Sequence, residues 1–173
     1  MKTIGFVAVL SATLGAALPI ATQAQTYQNG TATSTFTVSL TVQANCTIKA
    51  DPLVFPSTGL LSAPVNQETR LNVTCTNTTP YNVGLDAGSV TGSTVANRRL
   101  AGTAAGNTGT TVGYQLYQNA GRTTVWGNTQ GTDTVGGTGT GAVQTLTVYG
   151  QVPAQNAPKP DTYQSTVTAT VYF

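Results

Sequence analysis

Two stretches of this chain alternate apolar and polar residues with a period of two, and helical periodicity is nearly absent elsewhere. In residues 31–46, Ala32, Phe36, Val38, Leu40, Val42, Ala44 and Cys46 share one parity. Thr, Ser, Gln and Asn fill the other, and Ser34 is the one interruption of the apolar row. In residues 162–173, Tyr163, Val167, Ala169, Val171 and Phe173 form a similar row. Successive side chains of a strand point to opposite faces, so both stretches predict extended backbone with one buried side. Threonine, which suits pleated, half-exposed strands, occurs 35 times in the 173 residues. An all-β chain is expected.

Between the two runs lie shorter strand candidates at 53–55, 68–76, 82–86, 113–118, 123–126 and 144–152. Turn-forming residues at 51–52, 56–59, 77–80 and 119–121 separate them. Many short strands at this spacing argue for a sandwich or a barrel. Residues 102–111, 127–141 and 153–160 read as long loops, and Arg98-Arg99, the only basic pair, reads as part of a solvated turn. Gly136 to Gly141 superficially resembles a phosphate loop, but no Lys-Ser/Thr and no helical pattern follow, so it reads as a flexible loop. Trp126 and Tyr149 each precede a glycine and are expected to pack into the core at strand ends rather than to form a ligand platform.

The start of the chain has the order of a secretory signal: Lys2, an apolar stretch over residues 4–17, Pro19, then the small-residue segment ending at Ala24. Roughly 14 apolar residues fall short of the ~20 that a membrane span needs. Residues 1–24 are therefore expected to be a signal peptide, cut after Ala24, and the chain to be exported. Export agrees with the two cysteines, Cys46 and Cys75, since an isolated pair in an oxidising compartment is usually a disulfide. Closing that loop is worth about 3–4 kcal/mol in the chain-entropy model.

Composition excludes much chemistry. There is no histidine, which removes the commonest general base, the Ser–His and Cys–His nucleophile pairs and most zinc arrangements. Only five carboxylate side chains are present, Asp51, Glu68, Asp86, Asp133 and Asp161, most in turn-like contexts. Seven basic residues against five acidic ones, scattered along the chain, create no field for nucleic acid. Neither an enzyme nor a cofactor, metal or nucleic-acid partner is expected.

Residues 31–45 contain neither charge nor proline, the usual protections of an exposed edge strand. Such a segment suits strand addition, in which main-chain hydrogen bonds give affinity and alternate side chains fill pockets. It would equally suit the first strand of a self-contained sandwich. Periodicity leaves the two open. The second run continues to the last residue, which suggests that its edge or end has a use.

Ordered pieces of the chain carry a resemblance: Gly113-Tyr-Gln-Leu-Tyr117, then Thr124-Val-Trp-Gly127, then Leu146-Thr-Val-Tyr-Gly-Gln-Val-Pro-Ala154, then residues 163–173. Together with Cys46 and Cys75 they make the chain similar to the spore coat protein U domain, which includes the pilins of archaic chaperone–usher systems, and among these to major pilus subunits. The resemblance implies an immunoglobulin-like β-sandwich lacking its final strand, over residues 40–173, preceded by a donor-strand extension at 25–39. A periplasmic chaperone would lend a strand against residues 162–173, with Tyr163, Val167, Ala169, Val171 and Phe173 lining the acceptor groove. At an outer-membrane usher, the extension of another subunit would replace it, presenting Ala32, Ser34, Phe36 and Val38. Residues 40–48 would be the subunit's own first strand. The implied product is a surface pilus of identical or homologous subunits, serving attachment and biofilm formation. A single-domain adhesin and a coat protein that never polymerises are the alternatives.

Overall fold

The computed structural model describes residues 29–173; the expected signal peptide and the first residues of the expected extension lie outside them. The chain divides into a unit that ends at Ser39 and a compact unit, Leu40–Phe173. The second unit contains nine antiparallel strands and, among the described residues, no helix. They are β1 (Cys46–Ala50), β2 (Val65–Cys75), β3 (Pro80–Leu85), β4 (Arg98–Gly102), β5 (Thr111–Tyr117), β6 (Val135–Thr138), β7 (Val143–Val152), β8 (Tyr163–Gln164) and β9 (Ala169–Tyr172). One sheet has the order β1-β2-β7-β5-β4-β8 and the other β6-β3-β9. The all-β, sandwich-like architecture expected from alternation is the one observed.

The core lies where inward rows of the two sheets meet. Val73 and Cys75 of β2, Tyr81, Val83 and Leu85 of β3, Val112, Tyr114 and Leu116 of β5, and Val148 and Val152 of β7 are all buried. Each set is spaced by two or four residues, the parity a one-sided strand imposes. Cys46 and Cys75 form the disulfide, with their Cα atoms 4.1 Å apart. They face each other as the first pair of the β1–β2 ladder, which runs on to Ala50 opposite Leu71. Neighbouring Thr76 donates its N–H to the Asn45 carbonyl at 2.9 Å. The cysteines therefore occupy a non-hydrogen-bonded site, where antiparallel partners come closest.

Two buried side chains tie the sheets together. Trp126, 1% exposed, donates its indole N–H to the Val83 carbonyl at 2.8 Å, so its core position is as expected. Arg98 contradicts the expectation of a solvated turn: it opens β4 and is 0% exposed. Its guanidinium donates to the carbonyls of Asp86 (2.9 Å), Leu85 (2.9 Å), Trp126 (2.7 Å) and Val95 (3.3 Å) and to Gln115 Oε1. A buried charge survives only when such bonds replace its hydration. Burial lowers the Arg98 pKa, while the electrostatic influence of Tyr114, Asp86 and Asp133 raises it. Sequence spacing could not reveal this site because its acceptors come from four separate segments.

Other expectations need correction. Residues 53–55 form no strand; Pro52 and Pro56 remove ladder donors on either side. Side chains hold this segment instead, with Thr69 Oγ1 donating to the Asp51 and Pro52 carbonyls and Gln67 Nε2 to that of Val54. Residues 123–126 contribute only the isolated bridge Tyr117–Val125. The expected loop 127–141 contains β6, which pairs with β3. Gly137 makes that approach possible, because a Cβ there would lie 2.5 Å from the Tyr81 ring. The first strand starts only at Cys46, not at residue 40. Tyr149 is half-buried outside the core cluster, beneath Arg122, whose guanidinium carbon lies 5.9 Å from its ring centre.

Candidate functional site

The second alternating run departs from expectation in an instructive way. Rather than one strand, it pairs first with β4, Gly102 opposite Tyr163 and Ala101 opposite Gln164. It then pairs with β3, from Leu85 opposite Ala169 to Asn82 opposite Tyr172. The run thus passes from one sheet to the other. Across the gap, Ser89 N–H donates to the Thr166 carbonyl and Asp86 N–H to that of Thr168, at 2.9 and 3.1 Å. In return, Thr166 N–H reaches Ser89 Oγ and Thr168 N–H reaches Asp86 Oδ1, both at 2.9 Å. Asp86 Oδ1 also accepts from Gly88 N–H. Gly88 has φ +86°, in the left-handed region that favours glycine, and a Cβ there would lie 2.5 Å from Ser165 Oγ.

These bonds fix which backbone groups remain free. Even-numbered residues from 166 to 172 face β3, so alternation turns the N–H and C=O of Ser165, Val167, Ala169 and Val171 the other way. The same reasoning applies to β1. Asn45 and Asp51 bond to Thr76 and Arg70 of the β2 side, so Cys46, Ile48 and Ala50 direct their backbone groups away from it. Among the described residues this leaves two open strand edges, one from each sheet, and β1 lies near β9. Neither edge carries proline, and Lys49 is its only charge.

A groove of about 950 Å³ opens along this side of the sandwich. Its floor is the core itself: Leu71 of β2, Leu85 of β3, Val112, Tyr114 and Leu116 of β5, and Val148 of β7. Its rims are residues 50–59 on one side and 158–167 on the other. Native interiors are close-packed, so an apolar trough of this size in the centre of a domain is a binding site or an unfinished core. Of the five residues expected on the acceptor strand, Tyr163, Val167 and Ala169 line the groove. Val171 packs against the core without lining it, and Phe173 is 59% exposed. The floor residues and the 50–59 rim were not singled out from the sequence, although the spacing of 112, 114 and 116 carries the inward parity.

One rim is latched by Asp161. Its carboxylate accepts from Asn107 Nδ2 (2.7 Å), Ala104 N–H (3.0 Å), Thr162 N–H (2.7 Å) and Thr103 Oγ1 (3.4 Å). Chiefly the Asn107 bond, with those from the Ala104 and Thr162 backbones and Thr103, holds its pKa below the ordinary value, against some desolvation. Tyr163 donates its hydroxyl to the Lys159 carbonyl at 2.7 Å, bracing the same rim.

The expected donor residues are placed differently. Residues 29–45 form no strand, and Ala32, Ser34, Phe36 and Val38 are all exposed, Phe36 at 86%. No group of three metal-ligating side chains comes together among the described residues. Hydrogen-bonding edges and apolar pockets can hold an extended peptide segment.

The Spore Coat Protein U domain matches over residues 32–170. No curated protein matches the sequence. Among solved structures, a chain in the crystal structure of the CsuC–CsuE chaperone–tip adhesion subunit pre-assembly complex, from archaic chaperone–usher Csu pili of Acinetobacter baumannii, is similar at TM-score 0.52 and 22% identity. The match covers 77% of this chain and 40% of that one. A chain from a chaperone–tip adhesin complex of CFA/I fimbriae biogenesis matches at TM-score 0.47 and 13% identity, over 73% of this chain and 41% of that one. This chain therefore spans less than half the length of either, and the first likeness is one of fold.

Proposed function

The chain belongs to the Spore Coat Protein U domain family, and from that premise we propose that it is a structural subunit of a surface pilus that polymerises by strand donation. The observation that carries the reading is the core-floored groove, rimmed by residues 50–59 and 158–167, beside the open edge of the last run. An extended segment laid there would bond to the free backbone groups of Ser165, Val167, Ala169 and Val171 and bury its inward side chains on the floor. Residues 25–39 are the donor: they lead into the domain, lack charge and proline, and expose Phe36 and Val38. Burying each of these side chains is worth about 1.5–3 kcal/mol.

Before polymerisation the same groove needs temporary cover, which a periplasmic chaperone strand provides; an outer-membrane usher is the site of exchange. The fold likeness to a chain from a chaperone–subunit complex supports this assignment. The chain then passes through the periplasm to the cell surface, where the fibre serves attachment and biofilm formation, with no catalytic role.

The test uses the exported chain and a variant lacking residues 25–38. The first is expected to give SDS-resistant ladders on unheated gels, the variant none. A synthetic peptide of residues 29–42 is expected to raise the variant's melting temperature. A full-length protein that remains a folded monomer and a variant indifferent to the peptide would sink strand donation and favour a self-contained coat protein.

A further inference from the structure

The floor of the groove contains a polar defect. Tyr114 is 5% exposed and lines the groove, yet among the described residues its hydroxyl has no hydrogen-bond partner. Ser165, also on the groove wall, has a buried Oγ that likewise meets no partner among them. Both oxygens lie beside Gly88, within 3.2 Å of the point where a Cβ would stand. Burial raises the Tyr114 pKa and the nearby Ser165 hydroxyl holds it down, but neither oxygen completes a hydrogen bond. Folded proteins rarely leave buried hydroxyls unpaired, and two together call for an explanation.

The inward row of the acceptor run reads Tyr163, Ser165, Val167, Ala169, Val171 and Phe173, with one serine. The row of the extension reads Ala32, Ser34, Phe36, Val38 and Leu40, also with one serine. Both rows have a period of two, so hydrophobicity alone permits several registers, each shifted by two residues. The polar defect distinguishes them. Only one register places a hydroxyl over the unpaired hydroxyls. Every other sets an apolar side chain on them and buries Ser34 against apolar floor.

We propose that the Tyr114–Ser165 hydroxyl pair is a polar subsite that takes the Ser34 hydroxyl of a second copy of this chain and so fixes the register of strand donation. This rests on the assembly reading above and adds its specificity determinant. A hydroxyl can donate and accept at once, so Ser34 would complete a chain of three. The spacing on the floor agrees. Val112, Tyr114 and Leu116 follow one another along β5 at the two-residue repeat of about 6.8 Å, the spacing of Ala32, Ser34 and Phe36. An apolar position thus flanks the polar one on either side in both rows.

The experiment is cross-linking of assembled polymers. With Ser34→Cys and Ser165→Cys in one chain, oxidation is expected to convert the heat-labile ladder into one that survives heating without reductant. Pairing Ala32→Cys or Phe36→Cys with Ser165→Cys is expected to give no cross-link, because a two-residue shift takes the Cα atoms beyond disulfide reach. Polymers that cross-link through position 32 or 36 instead would overturn the register while leaving strand donation intact; absence of any polymer from the native chain would overturn the assembly reading itself. Peptides give a second readout that needs no cysteine. A 29–42 peptide with Ser34→Ala is expected to bind the extension-deleted protein about 3- to 10-fold more weakly than the native peptide, the range of a single neutral hydrogen bond. That difference is expected to vanish when the protein carries Tyr114→Phe and Ser165→Ala. Equal or tighter binding of the Ser34→Ala peptide to the unaltered groove would refute the subsite.

Discussion

The two alternating runs share a pattern and have different fates. Residues 162–173 bond to β4 and β3 along one edge, and their inward side chains are half-buried on the core. Residues 29–45 carry the same alternation, equally free of charge and proline, and form no ladder. The chemistry of the side chains does not distinguish them; the supply of partners does. A strand is stabilised by neighbours, so alternation reports competence to pair and says nothing of which chain supplies the mate. On the proposed reading, the run with a partner in its own domain is the acceptor, and the one without is the donor.

Truncation breaks this comparison most directly. Removing residues 162–173 deletes β8 and β9 and reduces the second sheet to the two strands β6 and β3. Two strands are marginal alone, and the product is expected to be unfolded by circular dichroism. Removing residues 25–38 is expected to shift folding stability by no more than about 0.5 kcal/mol while abolishing the polymer ladder. If both deletions unfold the protein, the runs are not functionally different.

Arg98 gives the next largest effect, because it joins the sheets between which the second run passes. Arg98→Met strips the Leu85, Asp86 and Trp126 carbonyls of their donor and is expected to cost about 3–5 kcal/mol in urea titration. A loss below about 1 kcal/mol would mean that water reaches these carbonyls without opening the fold. The disulfide follows. It closes the β1–β2 ladder at the residue where the unpaired first run ends. Replacing both cysteines with alanine is expected to cost about 3–4 kcal/mol, with peptide selectivity preserved. An unchanged unfolding midpoint would show that the ladder alone secures β1.

Asp161 sharpens the comparison at its smallest scale, since it anchors the start of the second run. Its pKa is lowered in the folded chain, so its contribution is complete above the ordinary carboxylate range and disappears as pH falls through the depressed value. Asp161→Asn is expected to be less stable than the native chain near about pH 7 and to match it near about pH 2, read as the difference in unfolding midpoint. A pH-independent difference would assign the effect to packing rather than to the carboxylate.

Much of this was legible in the residues. Period-two rows, turn residues and threonine content specified strands, their inward faces and a sandwich-like fold, because those signals are local. The cysteine pair was legible from its count and the expected export. Arg98 and Tyr149 were misassigned because burial depends on what another segment brings to a side chain, as the carbonyls of Leu85, Asp86, Val95 and Trp126 do for Arg98. Residues 135–138 read as loop because glycine-rich strands have no hydrophobic period; their pairing depends on the close approach of Tyr81. Residues 53–55 have strand composition but are flanked by prolines that forbid the ladder.

By itself, then, the order of residues determined which segments could be strands, which faces were apolar and where a disulfide could close, all consequences of side-chain parity and turn chemistry. The tertiary structure alone decided that the last run passes between sheets, that β1 and β9 keep open edges, and that two hydroxyls meet unpaired beneath a groove. Those features depend on distances between segments far apart in the chain, and no local pattern encodes such distances.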